Sequence, residues 1–199
     1  LYCEQTPSFD FIMKKKTIVN ALILLFSTLF GIAAEVGSIA PSITLPDANG
    51  KMWNSSEFIN KKNLLIFFYP AAMTGGCTKQ ACSYQEEYKN WKDINFEVIG
   101  ISGDKKENLK LFKESEELNF TLLSDYKGTV AKAFGVPTAK GGNIQKFVSG
   151  ERFTLERGVT TKRWTFMISR TGKILYKKEN TQATQDSEQA MKFFSKLKQ

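Results

Sequence analysis

Two cysteines five positions apart, Cys77 and Cys82, stand where residue types and spacing in this chain add up to covalent chemistry. The segment Pro70-Ala-Ala-Met-Thr74-Gly-Gly-Cys77-Thr-Lys-Gln-Ala-Cys82 follows an apolar run and opens a stretch with helical spacing. Pro70 stops the run, and Gly75 and Gly76 allow a tight turn that can aim several N–H groups at one point. Cys77 then falls in the first helical turn, where unpaired N–H groups and the helix dipole stabilise a thiolate. Thr74, three residues upstream, supplies a hydroxyl that can donate to or accept from a small polar ligand at the sulfur. These features describe a site for a nucleophilic thiolate.

Cys82 adds a constraint. On an intact helix, five residues correspond to about 140° beyond a full turn and a rise of about 7.5 Å. A disulfide needs Cα atoms within about 7 Å and converging side chains, so the two sulfurs cannot bond while the helix is whole. Any disulfide between them therefore requires the first helical turn to unwind. The plainer alternative is a pair of small core residues, since free cysteine is often buried. Metal binding is weaker still, because a second thiolate pair and histidines are both lacking. Cys-x-x-Cys redox chemistry is absent, since four residues separate the pair.

The elements that must position this segment follow from periodicity. Asn63 to Tyr69 and Phe96 to Ser102 are continuous apolar runs, as expected of strands buried on both faces. Cys77 to Trp91 reads as a helix. Lys105 to Leu118 reads as an amphipathic helix with Leu109, Phe112 and Leu118 on one face. Thr121 to Leu123 is a short strand, Gly128 to Phe134 a short helix ended by Gly135, and Glu188 to Leu197 a closing helix. Arg163 to Ser169 and Lys173 to Lys177 form a hairpin across Arg170-Thr-Gly172. Strands alternating with helices, then a hairpin and a helix, imply an α/β fold of thioredoxin type, a central mixed sheet flanked by helices on both faces. The Gly-rich stretch 138–161 reads either as a long loop or as an inserted hairpin. Its Phe147, Phe153 and Leu155 could cover the pocket or meet a partner.

Composition narrows the chemistry further. The 199 residues contain three cysteines and no histidine, which removes Ser-His-Asp and Cys-His catalysis and His-ligated metals. Lys and Arg number 28 against 20 Asp and Glu, a formal +8. These cations are scattered as short pairs among carboxylates, the pattern of a solvated surface and not of a nucleic-acid patch. Met13-Lys-Lys-Lys16, an apolar stretch from Ile18 to Ile32 and the small residues Ala33 and Ala34 read as a secretory signal peptide over 13–34. About 15 apolar residues fall short of a transmembrane span. Met13 reads as the true start, with 1–12 upstream and a single domain over 35–199. Loss of 1–34 leaves a charge of +7 and only Cys77 and Cys82, in a periplasmic or otherwise secreted setting where disulfides persist.

Pro70-x-x-x-Thr74-x-x-Cys77 resembles the active-site signature of the peroxiredoxins, and Cys77-x-x-x-x-Cys82 resembles their Q-type, bacterioferritin-comigratory-protein-like class. The resemblance extends to Val36-Gly-Ser-Ile-Ala-Pro41, Val98-Ile-Gly-Ile-Ser102-Gly-Asp104, Leu122-Leu-Ser-Asp125 and Arg163-Trp-Thr-Phe-Met-Ile168. It implies that Cys77 is the peroxidatic nucleophile and Cys82 the resolving thiol. By the same resemblance Thr74 orients the peroxide oxygen, Pro70 shields the pocket together with a substrate contact at Gly76, and Arg163 holds the thiolate and the developing charge. Arg152, Arg157 and Arg170 are rivals for that last role, but only Arg163 directly precedes an apolar strand.

The implied partners are a hydroperoxide substrate and a thioredoxin-like or other dithiol reductant, with no cofactor or metal, no nucleic acid, a monomeric chain and membrane contact only through the leader. Two features depart from the family. Gly75 stands where it often has Pro, which loosens the loop, and Phe193-Phe-Ser-Lys-Leu-Lys-Gln199 lacks a Tyr-Phe latch, which implies little over-oxidation. The rival readings are a thiol:disulfide oxidoreductase on the same fold and a non-enzymatic redox sensor or holdase.

Overall fold

A computed structural model describes residues 34–197; the segments read above as upstream sequence and signal peptide lie, up to residue 33, outside the described residues. In chain order the strands are β1 (Thr44–Pro46), β2 (Met52–Asn54), β3 (Asn63–Phe68), β4 (Phe96–Ser102), β5 (Thr121–Ser124), β6 (Thr138–Val148), β7 (Glu151–Thr161), β8 (Thr165–Ile168) and β9 (Ile174–Lys178). The helices are α1 (Gly75–Glu86), α2 (Tyr88–Asp93), α3 (Lys106–Ser115), α4 (Thr129–Ala133) and α5 (Asp186–Leu197).

The central sheet has the order β5-β4-β3-β8-β9. Strands β3, β4 and β5 run parallel, while β8 is antiparallel to both β3 and β9. This is the mixed sheet expected of a thioredoxin-like fold. In β3 the side chains alternate as strand geometry requires. Leu65 and Phe67 enter a core with Tyr84 of α1, Trp91 of α2, Phe112 of α3 and Phe194 of α5. Leu64, Ile66 and Phe68 enter the opposite core with Val130 and Ala131 of α4 and Ile43 and Leu45 of the N-terminal segment. Helices therefore cover both faces, unequally, with four on the side that carries the cysteines. The continuous apolar run in β3 reflects this double burial.

The stretch read as one helix from Cys77 to Trp91 is two, broken at Glu87 (φ −91°, ψ 3°). The break serves two side chains at once. Tyr84 OH donates to Asp186 Oδ2 at 2.8 Å and the Trp91 indole donates to Ser187 Oγ at 3.1 Å, so both helices dock on the start of α5. The helix read as Lys105 to Leu118 stops at Ser115, because Glu117 adopts a left-handed backbone (φ 51°). Leu118 still reaches the same core as Leu109 and Phe112, now from the following loop.

Residues 138–161 resolve in favour of the hairpin. Strands β6 and β7 pair antiparallel from Thr138↔Thr161 to Val148↔Glu151, and the two-residue turn Ser149-Gly150 has positive φ at both positions (50° and 86°). Glycine is needed within the strands because backbones cross closely there. A Cβ on Gly158 would lie 2.1 Å from the Tyr126 carbonyl oxygen, and one on Gly103 the same distance from the Val159 oxygen. Gly158 N–H donates to Gly103 O at 3.0 Å, and Lys105 N–H to Glu156 O at 3.1 Å, which stitches β7 to the chain leaving β4. Of the three apolar residues singled out, Leu155 is buried and shares a cleft of about 390 Å³ with Phe153 and with Asn108 and Leu111 of α3, while Phe147 near the tip is exposed.

The close approach at Gly103 yields a stability test. Gly103→Ala should lower unfolding free energy by about 1–3 kcal/mol through overpacking against β7. A denaturant midpoint equal to that of the parent protein would refute this account of the crossing.

Candidate active site

The site grows from the end of β3. Phe67 of β3 pairs with Thr165, the first residue of β8, so the exit of one strand adjoins the entry of the other. After β3 the chain passes Tyr69 and Pro70, then turns. The turn is not made by the glycines: Met73 carries the left-handed backbone (φ 58°), while Gly75 and Gly76 are the first two residues of α1 and have no positive φ. A Cβ on Gly75 would meet open space, so the fold does not require glycine there. Gly76 lies against Arg163: a Cβ there would make an ordinary van der Waals contact of 3.5 Å with the Nη2 atom.

Asp104 holds this loop from beneath. Its Oδ2 accepts from the Ala72 N–H and from the Ser102 hydroxyl, both at 2.8 Å. Burial raises the Asp104 carboxyl above the usual range, and these hydrogen bonds and the Arg157 charge oppose the shift. Thr74 is the N-cap of α1, but its hydroxyl donates to Ala71 O at 2.9 Å instead of capping the helix. Its proton is thus committed, and its lone pairs remain to accept from a ligand.

Cys77 is 3% exposed in the first turn of α1. The first N–H inside the helix to reach a backbone acceptor is that of Thr78, bonded to Thr74 O at 2.8 Å. The amides of Gly75, Gly76 and Cys77 come before it, in the stretch of helix that lacks intrahelical acceptors. Arg163, two residues before β8, donates from Nη2 to Cys77 Sγ at 3.3 Å. Its Nη1 donates to Gln80 Oε1. A guanidinium is always charged and only donates, so it stabilises negative charge on the sulfur and can also donate to an oxygen beside it. The other arginines are engaged elsewhere: Arg157 donates to Thr160, Arg152 belongs to the β6–β7 hairpin, and Arg170 lies in the β8–β9 turn.

The structure brings Cys77, Arg163 and Gly76 together, with Thr74 and Pro70 in the loop that delivers them. It does not bring Cys82 to Cys77. Both are free thiols on an intact α1, as the helix geometry demands. The Cys82 sulfur lies 3.9 Å from Glu116 Oε2, just past the end of α3. Burial raises the Cys82 thiol above its ordinary value, and the Glu116 and Glu86 carboxylates push it further in the same direction.

Four neighbours escaped the sequence reading. Gln80 carries a legible signal, because position i+3 from Cys77 shares its helical face. Asp104, Glu116 and Asp186 carry none, since only tertiary contact links them to the site.

Residues 36–177 match the AhpC/TSA family. Over 102 residues the chain is 46% identical to peroxiredoxin Bcp of Escherichia coli (strain K12), a stretch covering 51% of this chain and 65% of that protein. It is also 46% identical over 102 residues to the chloroplastic peroxiredoxin Q of Suaeda salsa, covering 51% of this chain and 47% of that one. The aligned stretch thus spans about half the length of the plant relative. The solved structure of peroxidoxin BcpB from Mycobacterium tuberculosis superposes with a TM-score of 0.67 at 29% identity, covering 81% of this chain and 96% of that one. PrxQ from Xylella fastidiosa shares the fold, with a TM-score of 0.68 at 20% identity over 83% and 98% of the two chains.

Alkylation resolves the two thiols. Arg163→Met should slow iodoacetamide labelling of Cys77 at neutral pH by about tenfold, equivalent to ~1.4 kcal/mol of lost charge stabilisation; an unchanged rate would remove Arg163 from the site. Cys82 behaves in the opposite sense. Because its thiol is raised, labelling should rise only at pH above the ordinary thiol range, and Glu116→Gln should move that rise to lower pH. Residue-resolved mass spectrometry reads both, and a Cys82 profile that is indifferent to Glu116→Gln contradicts the assignment.

Proposed function

We propose that this chain, which belongs to the AhpC/TSA family, is a thiol-specific peroxidase that reduces hydrogen peroxide and organic hydroperoxides. The observation that carries the reading is the Arg163 guanidinium 3.3 Å from the sulfur of a buried cysteine in the first turn of a helix. The Cys77 thiolate attacks the nearer oxygen of the O–O bond. A sulfur–oxygen bond forms, the O–O bond breaks, and the leaving oxygen takes a proton and departs as water or alcohol, which leaves a Cys77 sulfenic acid. Arg163 and the free amides at the start of α1 stabilise the charge on the separating oxygens. Thr74, its proton held by Ala71, accepts from the peroxide O–H, while Pro70 limits access of water and Gly76 offers its backbone amide to the substrate.

The second step joins the sulfurs. With the first turn of α1 unwound, the Cys82 thiol condenses with the sulfenic acid, a disulfide forms and water leaves. A thioredoxin-like dithiol then restores both thiols by exchange and is itself oxidised.

The setting is part of the same proposal. Residues 13–34 act as a cleaved signal peptide, so that residues 35–199 form a monomeric periplasmic or otherwise secreted domain. The Lys14–Lys16 cluster before the apolar run supports this. No helix among the described residues is long and apolar enough to cross a membrane.

One equivalent of peroxide should make the reduced protein lose two hydrogen atoms, with Cys77 and Cys82 linked, and Cys77→Ser should abolish peroxide consumption. Turnover that survives Cys77→Ser would end this reading. Rapid oxidation of the reduced protein by a disulfide substrate with peroxide absent would favour the oxidoreductase instead. Stoichiometric oxidation that does not recur with excess reductant would favour the sensor.

A further inference from the structure

Asp186, the first residue of α5, is fully buried and plays no part in the chemistry described so far. Three donors converge on its Oδ2 atom: Gln80 Nε2 at 2.7 Å, Tyr84 OH at 2.8 Å and Thr165 Oγ1 at 2.7 Å. Two of the three come from α1, and the third from β8, two residues beyond Arg163. Burial raises the Asp186 carboxyl above the usual range, while these three hydrogen bonds and the Arg163 charge oppose the shift, and Oδ2 serves as their acceptor. Gln80 therefore sits between an atom that only accepts and a guanidinium that only donates, which leaves its amide one orientation, with nitrogen toward Asp186 and oxygen toward Arg163. The chain of contacts runs Asp186, Gln80, Arg163, Cys77 without a gap.

The same bonds oppose the conformational step. Gln80 lies between Cys77 and Cys82 in the second turn of α1, and the i to i−4 ladder ties its N–H to the Gly76 carbonyl in the first turn, which must unwind before the sulfurs can meet. When that turn unwinds, Gln80 loses this tether and its amide leaves Asp186, so a buried carboxyl oxygen loses one of its donors. A buried acceptor stripped of a donor is costly.

We propose that Asp186 is a positioning residue of this site with two effects: through Gln80 it aims Arg163 at Cys77, and it restrains α1 against the unwinding that the Cys77–Cys82 disulfide demands. This inference rests on the peroxidase reading. It divides the cost of the cycle, since one contact favours the oxidation step and slows the step that follows.

Rapid quench with mass spectrometry separates the two steps in the full chain: bimolecular formation of the Cys77 sulfenic acid, then unimolecular formation of the disulfide. Asp186→Asn keeps the shape, replaces one carboxyl oxygen by an amide nitrogen and frees the Gln80 amide to flip. It should slow the first step several-fold and speed the second about five- to tenfold. Gln80→Met cuts the same link from the α1 side and should shift both steps in the same directions, so the test survives an Asp186→Asn protein that does not fold. Ser187→Ala is the control, because it removes the Trp91 bond at the same end of α5 without touching the link. It should lower thermal stability and leave the ratio of the two rates unchanged. Rates within twofold of the parent in Asp186→Asn or Gln80→Met would overturn the proposal, as would an equal acceleration of the second step in Ser187→Ala. A parent protein that forms no sulfenic acid or disulfide with peroxide would instead overturn the peroxidase reading itself.

Discussion

The antiparallel pairing of β3 with β8 is the constraint on which the site depends. Arg163 and Cys77 are 86 residues apart, and nothing local could bring them together. Because Phe67 faces Thr165 across the ladder, the chain enters β8 where it leaves β3, and both the cysteine loop and the arginine hang from one end of the sheet. The double-sided core fixes that register: a slip of one residue would turn Leu65 and Phe67 toward the wrong layer. The side chains that stabilise the fold thereby also set the distance between a guanidinium and a sulfur.

Much of this was legible in the chain. The apolar runs of β3 and β4 declared themselves through length and composition, and the helix after Cys77 through its spacing. What failed to show has a physical cause in each case. The turn before α1 looked like the work of Gly75 and Gly76, yet the strained backbone falls on Met73, whose side chain gives no warning of it. Residues 138–161 looked ambiguous because Gly141, Gly142, Gly150 and Gly158 resemble loop punctuation. Only Gly150 of these takes a turn conformation, whereas Gly141 and Gly158 sit in strands where another backbone passes too closely for a Cβ. Burial of acids is the least legible feature. Nothing local in the sequence marks Asp104 or Asp186 as buried, and only the fold supplies the donors that make their burial tolerable.

The two thiols occupy opposite electrostatic settings on one helix. Cys77 has a cation beside it and the positive end of α1 behind it, whereas Cys82 faces carboxylates and is held toward its neutral form. A single α-helical turn and a half thus separates a sulfur prepared to carry charge from one that resists it. Both states depend on the helix being intact, so the loss of its first turn changes both environments together.

Tryptophan placement has a practical consequence. Trp164 adjoins Arg163, is nearly buried, and has the Lys177 ammonium 4.9 Å from its ring centre. Trp91 is fully buried and its indole is anchored to Ser187, the residue after Asp186. The third described indole, Trp53, stacks on Phe58 with ring centres 4.9 Å apart, against the same core as Trp164. The chain of contacts from Asp186 to Cys77 therefore has an intrinsic fluorophore one residue from each of two members, Trp91 bonded to the neighbour of Asp186 and Trp164 next to Arg163 in the opposite layer, which makes the emission of the unlabelled protein a natural reporter on it.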